Sequence, residues 1–473
     1  MADMKNSRGL TGDGHTAGRG LRRRLGGAGL ALLGAGSLMT LSAHPASAAT
    51  TVTVPCSGPN GGGPGLVAAI NAANASGGGT INLAEDCTYV LTAPVDADQN
   101  GTPYVNSPIT INGDDNTTVT RKSAAQFRIF VVGGYGRLTI NQLRVTNGSA
   151  TYGAGIRNFG TLNLFDTTVS HNTASQSGAG FGGGINNVDG AIATLTRSRV
   201  QNNQADNAGG INNSPSATLT ITDSGVSKNT AAFDAGGIGS GTGSTLTITN
   251  SWVTGNTAGR YGAGLRTYGG TTDVRGSRVN GNMAAEGGGF NNAFGTVTVT
   301  NSSIDFNVAT SGAGGGVINA HGDMTVRGGE VRGNTAHSSG GGGLSNYGDQ
   351  SGEQSTLRLI DTVVRDNTMS CQGCLAHGGA ITNNRTLIIE SSALTRNRVS
   401  SPGGTAQGGG IYNDAAGTAS LTDSSVTLNI ASGAVAEGGG IYNDGTVTLS
   451  NSTVRHNTPN NCSPPGSVPG CTG

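Results

Sequence analysis

Beyond residue 150 the chain repeats one short pattern of apolar and polar positions. A pair of glycines precedes a single apolar anchor, and the asparagine of a [V/I/L]-x-x-N motif follows 16 to 23 residues later. Successive anchors lie 25 to 37 residues apart. The eleven anchors are Ile156, Ile185, Ile211, Ile238, Leu265, Phe290, Val317, Leu344, Ile381, Ile411 and Ile441.

Alternating runs between these marks, such as TLTIT at 218–222, combine period 2 with β-branched residues, which is typical of half-buried strands. Each repeat then holds about three short strands and cannot bury its apolar face alone. Stacked copies can bury it, because their strands pair in parallel about 4.8 Å apart. The pattern predicts an all-β, right-handed parallel β-helix of about thirteen coils, the eleven repeats and two less regular coils between residues 105 and 150.

Polar residues also recur at fixed places in the repeat. Asparagine stands two residues after nine of the eleven anchors, and Ser or Thr stands two residues before the apolar position of ten V-x-x-N motifs. Identical side chains one coil apart form hydrogen-bonded ladders that satisfy buried polar groups. We therefore expect these residues to be scaffold and not catalytic.

The two ends of the repeat region differ from it. Residues 66–74, LVAAINAAN, predict a short capping helix within an N-terminal segment at 50–104 that also holds the first strands. The repeats are expected over 105–458. The proline-rich residues 459–473 predict a C-terminal cap with a disulfide loop.

The beginning of the chain is typical of an export signal. A basic segment, a weakly apolar run at 25–41 and the sequence Ala46-Ser47-Ala48 predict a signal over 1–49, of the general secretory or twin-arginine type. This segment holds six of the 27 basic and two of the 27 acidic residues, which leaves 21 against 25. We expect a secreted protein without a membrane span after signal removal. The sparse charge argues against a nucleic-acid partner.

Cysteine spacing points to disulfides. All six cysteines follow the signal, and an even number in an exported protein predicts disulfides. Other pairings remain open, but pairing of neighbours needs the least of the fold and gives Cys56–Cys87, Cys371–Cys374 and Cys462–Cys471. His377 adds a third possible metal ligand beside the central pair, yet a structural zinc site needs four ligands. No metal and no cofactor is predicted.

The repeats resemble those of bacterial right-handed β-helix proteins. The glycine pair and V-x-x-N motif are similar to the GG[A/I/L] and F-x-x-N repeats of chlamydial polymorphic outer-membrane proteins, with HGGAITNN at 377–384 as the best match. The resemblance implies the fold over about residues 50–473. The wider pectin-lyase-like superfamily includes polysaccharide lyases and glycoside hydrolases, but a fold does not give a function.

Acidic residues form no evident catalytic group. A lyase needs converging carboxylates and a nearby base, and a glycosidase needs two carboxyl groups across a groove. The nearest approach to a column lies four residues before the anchors, where Asp234, Tyr261 and Glu286 fall on successive coils. We expect the two acids to be solvated turn residues, and we predict no catalytic residue.

The sequence IYND, written twice, is the best binding candidate. With Ile411 and Ile441 inward, alternation turns Tyr412 and Tyr442 outward on neighbouring coils, each followed by an acid, Asp414 and Asp444. Exposed rings beside carboxylates can stack a sugar and accept its hydroxyls, and the turns at 398–407 and 430–437 would wall the site. The alternative is that the tyrosines form a structural aromatic ladder.

Together these features predict a secreted or surface-associated β-helix protein that binds polysaccharide or cell-envelope material without catalysis. A polysaccharide lyase or glycoside hydrolase of the pectin-lyase-like fold is the alternative. The sequence does not indicate an oligomeric state.

Overall fold

The computed structural model describes residues 50–338, 340–348 and 354–472. These residues form a stack of coils built from short strands in three sheets, and neighbouring strands within each sheet pair in parallel. The parallel β-helix predicted from the repeats is therefore present as a parallel β-solenoid. Its right-handedness stays a prediction, and the predicted export signal at 1–49 lies outside the described residues.

The largest sheet, called the long sheet here, has two strands in most coils, so its strands form two columns along the stack. Its first column is Thr50–Val54, Gly79–Leu83, Pro108–Asn112, Arg137–Asn141, Thr161–Phe165, Ile192–Thr196, Thr218–Thr222, Thr245–Thr249, Thr271–Arg275, Thr296–Asp305, Asp323–Arg332, Thr356–Arg365, Thr386–Glu390, Thr418–Thr422 and Thr446–Ser450. Its second column is Thr88–Leu91, Thr118–Arg121, Arg144–Thr146, Thr168–Ser170, Arg199–Gln201, Gly225–Ser227, Trp252–Thr254, Arg278–Asn280, Ala393–Thr395, Ser425–Thr427 and Thr453–Arg455, and the three ten-residue strands of the first column span both.

Two further sheets complete each coil. The anchor sheet contains the repeat anchors, as Phe130–Val132, Ile156–Asn158, Ile185–Asn187, Ile211–Asn213, Ile238–Ser240, Leu265–Tyr268, Phe290–Ala293, Val317–Ala320, Leu344–Tyr347, Ile381–Asn383, Ile411–Asn413, Ile441–Asn443 and Cys462–Ser463. The third sheet is Ser149–Ala150, Thr173–Ala174, Gln204–Ala205, Thr230–Ala231, Thr257–Ala258, Met283–Ala284, Val308–Ala309, Thr335–Ala336, Thr368–Ser370, Leu375–His377, Arg398–Gln407 and Ile430–Glu437.

The stack has more coils than the repeats predict. The first column of the long sheet contains fifteen strands in the described residues, not thirteen. The two additional rungs are Thr50–Val54 and Gly79–Leu83, which pair with each other residue by residue. Neither rung carries an apolar anchor directly after a glycine pair or a V-x-x-N motif, so the repeat count misses them.

One helix, Gly62–Ala75, lies between those two rungs in the chain. Its side chains Leu66, Ile70 and Ala73 are buried in the same apolar core as the repeat anchors. The helix predicted at 66–74 is therefore present and packs on the first coils. Its role as a cap over the open end stays a prediction.

The core is a column of apolar side chains along the stack, and the predicted polar ladders run beside it. All eleven anchors are fully buried. Asn172 donates from Nδ2 to Oδ1 of Asn203 at 2.9 Å, and the same bond links each next motif asparagine as far as Asn457. A second ladder starts at Asn158, which donates to Asn187 at 2.7 Å. These bonds satisfy the buried amide groups. A buried amide left without a partner would cost about 1–3 kcal/mol.

All three predicted disulfides are present: Cys56–Cys87, Cys371–Cys374 and Cys462–Cys471, with Cα–Cα distances of 5.6, 6.0 and 6.3 Å. At the C-terminal end, Cys462–Ser463 adds a short strand to Ile441–Asn443. Ser467 accepts a hydrogen bond from Nδ2 of Asn443, the last anchor-sheet asparagine, at 2.8 Å. The tail thus terminates the amide ladder.

Candidate functional site

Tyr412 and Tyr442 lie one coil apart, as the repeat predicts. The two residues are register partners in the anchor sheet, and their rings stack with centroids 5.5 Å apart and planes 5° apart. His377 covers the other face of Tyr412, with a centroid distance of 3.8 Å. Only 8% of Tyr412 is exposed, so the prediction that both rings face solvent is wrong for Tyr412. Tyr442 is half-buried.

Burial favours the neutral forms of Tyr412 and His377 in this stack. Burial raises the pKa of Tyr412, and the nearby carboxylates of Asp414 and Asp444 raise it further. Burial lowers the pKa of His377, although Asp414, a hydrogen bond to Gln407 and Asp444 oppose this effect. The neutral imidazole packs against the neutral phenol, and we assign this contact to the scaffold.

The segments predicted as walls are strands instead of turns. Arg398–Gln407 and Ile430–Glu437 pair in parallel, with a register shift between Ser401 and Thr405. Leu375–His377 pairs with the far half of the first of these. Parallel pairing satisfies the backbone groups that a loop would leave to water, which is why the segments extend the third sheet.

Asp414 and Asp444 remain accessible. Each is the third residue after its anchor, and backbone hydrogen bonds place Asn384, Asp414 and Asp444 on successive coils. Asp444 is exposed and Asp414 is half-buried. We call these three residues the polar row.

Four aromatic side chains occupy the same edge of the anchor sheet on four earlier coils. They are Tyr268, Phe294, His321 and Tyr347, called the ring row here. Neighbouring rings have centroids 5.6, 5.0 and 5.8 Å apart, and the first and last contacts are edge-to-face. The exposed fractions of Tyr268, Phe294 and Tyr347 are 47, 49 and 48%. The sequence predictions do not include this row.

The backbone explains why these rings point outward. Tyr268, Ala293, Ala320 and Tyr347 are register partners, and the two alanines leave the space between the tyrosines to the neighbouring rings. Phe294 follows its strand with φ 59° and His321 with φ 56°. On the two preceding coils this corner position is glycine, Gly243 and Gly269, at φ 66° and 65°.

Phe294 therefore stands where glycine is the favoured residue. A left-handed backbone costs a non-glycine residue about 1–2 kcal/mol, and a bulky side chain there is unusual. The same holds for Phe306, at φ 53° between Gly281 and Gly333 on the adjacent coils. What distinguishes Phe294 from Phe306 is that its ring contacts the rings of Tyr268 and His321 in the ring row.

A charged group borders the ring row at Tyr268. The guanidinium of Arg266 lies 5.7 Å from the Tyr268 ring and 5.4 Å from the Tyr261 ring, and it forms an ion pair with Asp234. Arg260 approaches the same carboxylate at 3.2 Å. The positive charges of the two arginines thus offset the negative charge of Asp234.

The predicted column of Asp234, Tyr261 and Glu286 does lie on successive coils. Asp234 is buried, with 8% of its surface exposed, so the expectation of a solvated turn residue is wrong for it. Glu286 is half-buried, and burial raises the pKa of its carboxyl. The arginines between the two acids separate them electrostatically.

Cys371 and Cys374 do not form the metal site that their spacing beside His377 suggests. Cys371 and Cys374 are joined in a disulfide, so they are not thiolate ligands beside His377. In the ranges that the structure describes, no three His, Cys, Asp or Glu side chains are grouped as metal ligands would be. Nor does any described helix combine the length and apolar character needed to span a bilayer.

Known proteins give little further guidance. No protein-family model and no curated protein matches the chain. A tailspike protein variant of E. coli bacteriophage HK620 in complex with a pentasaccharide is similar over 85% of this chain and 75% of its own, at 12% identity and a TM-score of 0.30. A second such variant with a pentasaccharide has 13% identity, coverages of 82% and 71% and a TM-score of 0.33. Likeness at this level carries no argument about function.

Proposed function

We propose that this protein is an exported, non-catalytic binder of polysaccharide, and that the glycan lies along the ring row and the polar row. The observation that carries the proposal is the ring row itself. Three rings about half exposed and a histidine, on four consecutive coils, form a contiguous aromatic strip on the surface. Such strips on soluble proteins are typical of binding sites.

The geometry of the row suits a linear polymer of sugars. Coils repeat about every 4.8 Å, so the row extends about 14 Å along the stack. Aromatic rings stack on the apolar C–H faces of sugars, and edge-to-face packing leaves parts of several ring faces open. A chain running along the coils would meet one ring after another.

The polar row extends the same edge toward the end of the stack. Asn384 follows Tyr347 at the third position after the anchor, and Asp414 and Asp444 follow on the next coils. Amide and carboxylate groups at these places can accept hydrogen bonds from sugar hydroxyls. Tyr442 lies beside these residues, and its ring is partly exposed. The buried Tyr412 stacks on that ring.

The non-catalytic part of the proposal rests on the acids near the ring row. Catalysis of glycoside cleavage needs a proton donor and a second carboxylate that acts as base or nucleophile. Asp234 is held by Arg260 and Arg266, and Glu286 is half-buried on a coil beyond them. Export is supported by the three disulfides, which persist in oxidising compartments.

Affinity electrophoresis tests the proposal. The protein is run through gels that contain polygalacturonate, alginate, hyaluronan or a neutral mannan, beside the double variant Tyr268→Ala/Tyr347→Ala. We expect at least one polysaccharide to retard the wild type, and the variant to bind about 5- to 100-fold more weakly, by analogy with stacking on aromatic side chains. Tyr135→Ala is the matched control, because Tyr135 is fully exposed outside the row.

Equal retardation of the wild type and the double variant would place the site elsewhere, and no retardation by any of the polymers would refute the proposal. The same polysaccharides, incubated with the protein with and without calcium, test the alternative function. Release of unsaturated or reducing ends would show a lyase or a glycoside hydrolase instead of a binder.

A further inference from the structure

Trp252 is the one tryptophan of the chain, and it lies on the long sheet, away from the ring row. Its register partner on the preceding coil is Gly225. A Cβ atom on Gly225 would lie 2.4 Å from indole Nε1 and Cε2, so any other residue there would displace the ring. The glycine gives the indole a place on the sheet surface, where 36% of Trp252 stays exposed.

A pocket of about 310 Å³ opens beside this indole. Its lining is Asp115, Asp166, Arg197, Ser198, Arg199, Asp223 and Trp252. Arg197 donates to both carboxylate oxygens of Asp166, at 2.8 and 2.7 Å, which fixes one wall. Asp223 and Arg199 are exposed, and Arg199 forms no ion pair within the described residues.

These groups match the chemistry of a sugar ring. An indole face packs against apolar C–H groups, while carboxylates accept and guanidiniums donate hydrogen bonds at the hydroxyls. The lining carries three carboxylates and two guanidiniums, so a ligand that brings a negative charge of its own is disfavoured. The lining residues run over six successive coils from that of Asp115 to that of Trp252, about 24 Å, so the pocket is a groove that suits a short stretch of glycan with one unit on the indole.

We propose that the Trp252 pocket binds a neutral hexose unit of a glycan. This site differs from the ring row in its sheet, its residues and its charge. The proposal therefore does not depend on the function proposed above.

Tryptophan fluorescence tests the site directly, because Trp252 is the only indole in the chain. The protein is excited at the red edge of the indole band and titrated with mannopentaose, maltopentaose, cellopentaose or chitopentaose, up to about 10 mM, ten times a millimolar Kd. Trigalacturonate serves as the anionic comparison. We expect a saturable change with at least one neutral sugar and none with trigalacturonate.

Two variants make the test specific. Asp223→Asn removes a carboxylate of the pocket and should weaken the fluorescence titration at least about fivefold. Asp423→Asn is the matched control, because Asp423 occupies the same left-handed position of the repeat, φ 49° against 50°, outside the pocket. The ring-row variant Tyr268→Ala/Tyr347→Ala should respond like the wild type.

Three results would overturn the proposal: no response to any neutral pentasaccharide, a response to trigalacturonate alone, or equal weakening in the Asp223 and Asp423 variants. Loss of the response in the ring-row variant would also overturn it, since the fluorescence change would then report binding at the other site.

Discussion

Two groups of aromatic rings lie along the anchor sheet, and they differ in what covers them. Tyr412 and Tyr442 occupy the same repeat position on adjacent coils, stack with planes 5° apart and leave Tyr412 buried. In the ring row, the two tyrosines stand three positions after their anchors, whereas Phe294 and His321 stand four positions after theirs. The tyrosines of this row remain about half exposed. Tyr412 is buried because the rings of His377 and Tyr442 both pack on it, whereas Tyr268 and Tyr347 stand at the two ends of the ring row and stay available to a ligand.

The largest expected effect contrasts one tyrosine from each group. Tyr412→Ala should lower the free energy of unfolding by about 2–4 kcal/mol, because it leaves a cavity between His377 and Tyr442. Tyr347→Ala should change it by no more than about 0.5 kcal/mol, as is usual for exposed side chains. Urea unfolding followed by circular dichroism measures both. Similar losses in the two variants would remove the distinction between scaffold and binding rings.

A smaller effect is expected at the strained corner. Phe294→Gly should leave the free energy of unfolding unchanged or raise it by up to about 1 kcal/mol, because glycine relieves the left-handed backbone while the ring contacts are lost. It should nevertheless weaken polysaccharide binding at least about fivefold. Unfolding and affinity electrophoresis are measured on the same preparation.

Phe306→Gly is the matched control for this corner. Phe306 is also left-handed and 51% exposed, but it contacts Arg332 outside the ring row. It should show the same gain in stability without a change in binding. A binding loss in this variant as large as that of Phe294→Gly would mean that the ring row has no special role.

The smallest effect concerns the pH dependence of the buried stack. Because burial lowers the pKa of His377, the unfolded chain binds a proton more readily than the folded one between that pKa and about 6.5. Stability should therefore fall as the pH is lowered through this window, with a slope below about 1.4 kcal/mol per pH unit from this group. His377→Gln should show a flatter profile between about pH 7.5 and 5.5. An unchanged profile would show that the imidazole is not held neutral by burial.

Much of the scaffold is predictable from the sequence because it repeats. The buried anchors, the asparagine ladders and the tyrosine register all follow from identical residues at identical repeat positions. Cysteine pairing follows from spacing. The two rungs at Thr50–Val54 and Gly79–Leu83 lack the repeat marks, so the sequence predicts first strands in this segment but not that they are rungs of the stack.

The candidate site is harder to predict for the same reason. Burial of Tyr412 depends on the His377 ring, which stands at a different repeat position one coil earlier. Aromatic residues do stand three or four positions after four consecutive anchors. This signal becomes evident only when the repeats are aligned and the positions at which they differ are compared. The left-handed backbone that turns Phe294 outward cannot be predicted from the residue itself, because nothing about a phenylalanine indicates that conformation.

Chemical accessibility of the tyrosines with and without glycan shows whether the ring row is the binding surface and the Tyr412 stack is scaffold. The chain has nine tyrosines, and nitration mapped by mass spectrometry reads each one separately. With the polysaccharide that retards the protein present, Tyr268 and Tyr347 should change from reactive to protected, and the fully exposed Tyr135 should react in both states. Tyr412 should react in neither state, because it is buried and its pKa is raised. Rapid nitration of Tyr412, or no protection of Tyr268 and Tyr347 at saturating glycan, would contradict the account.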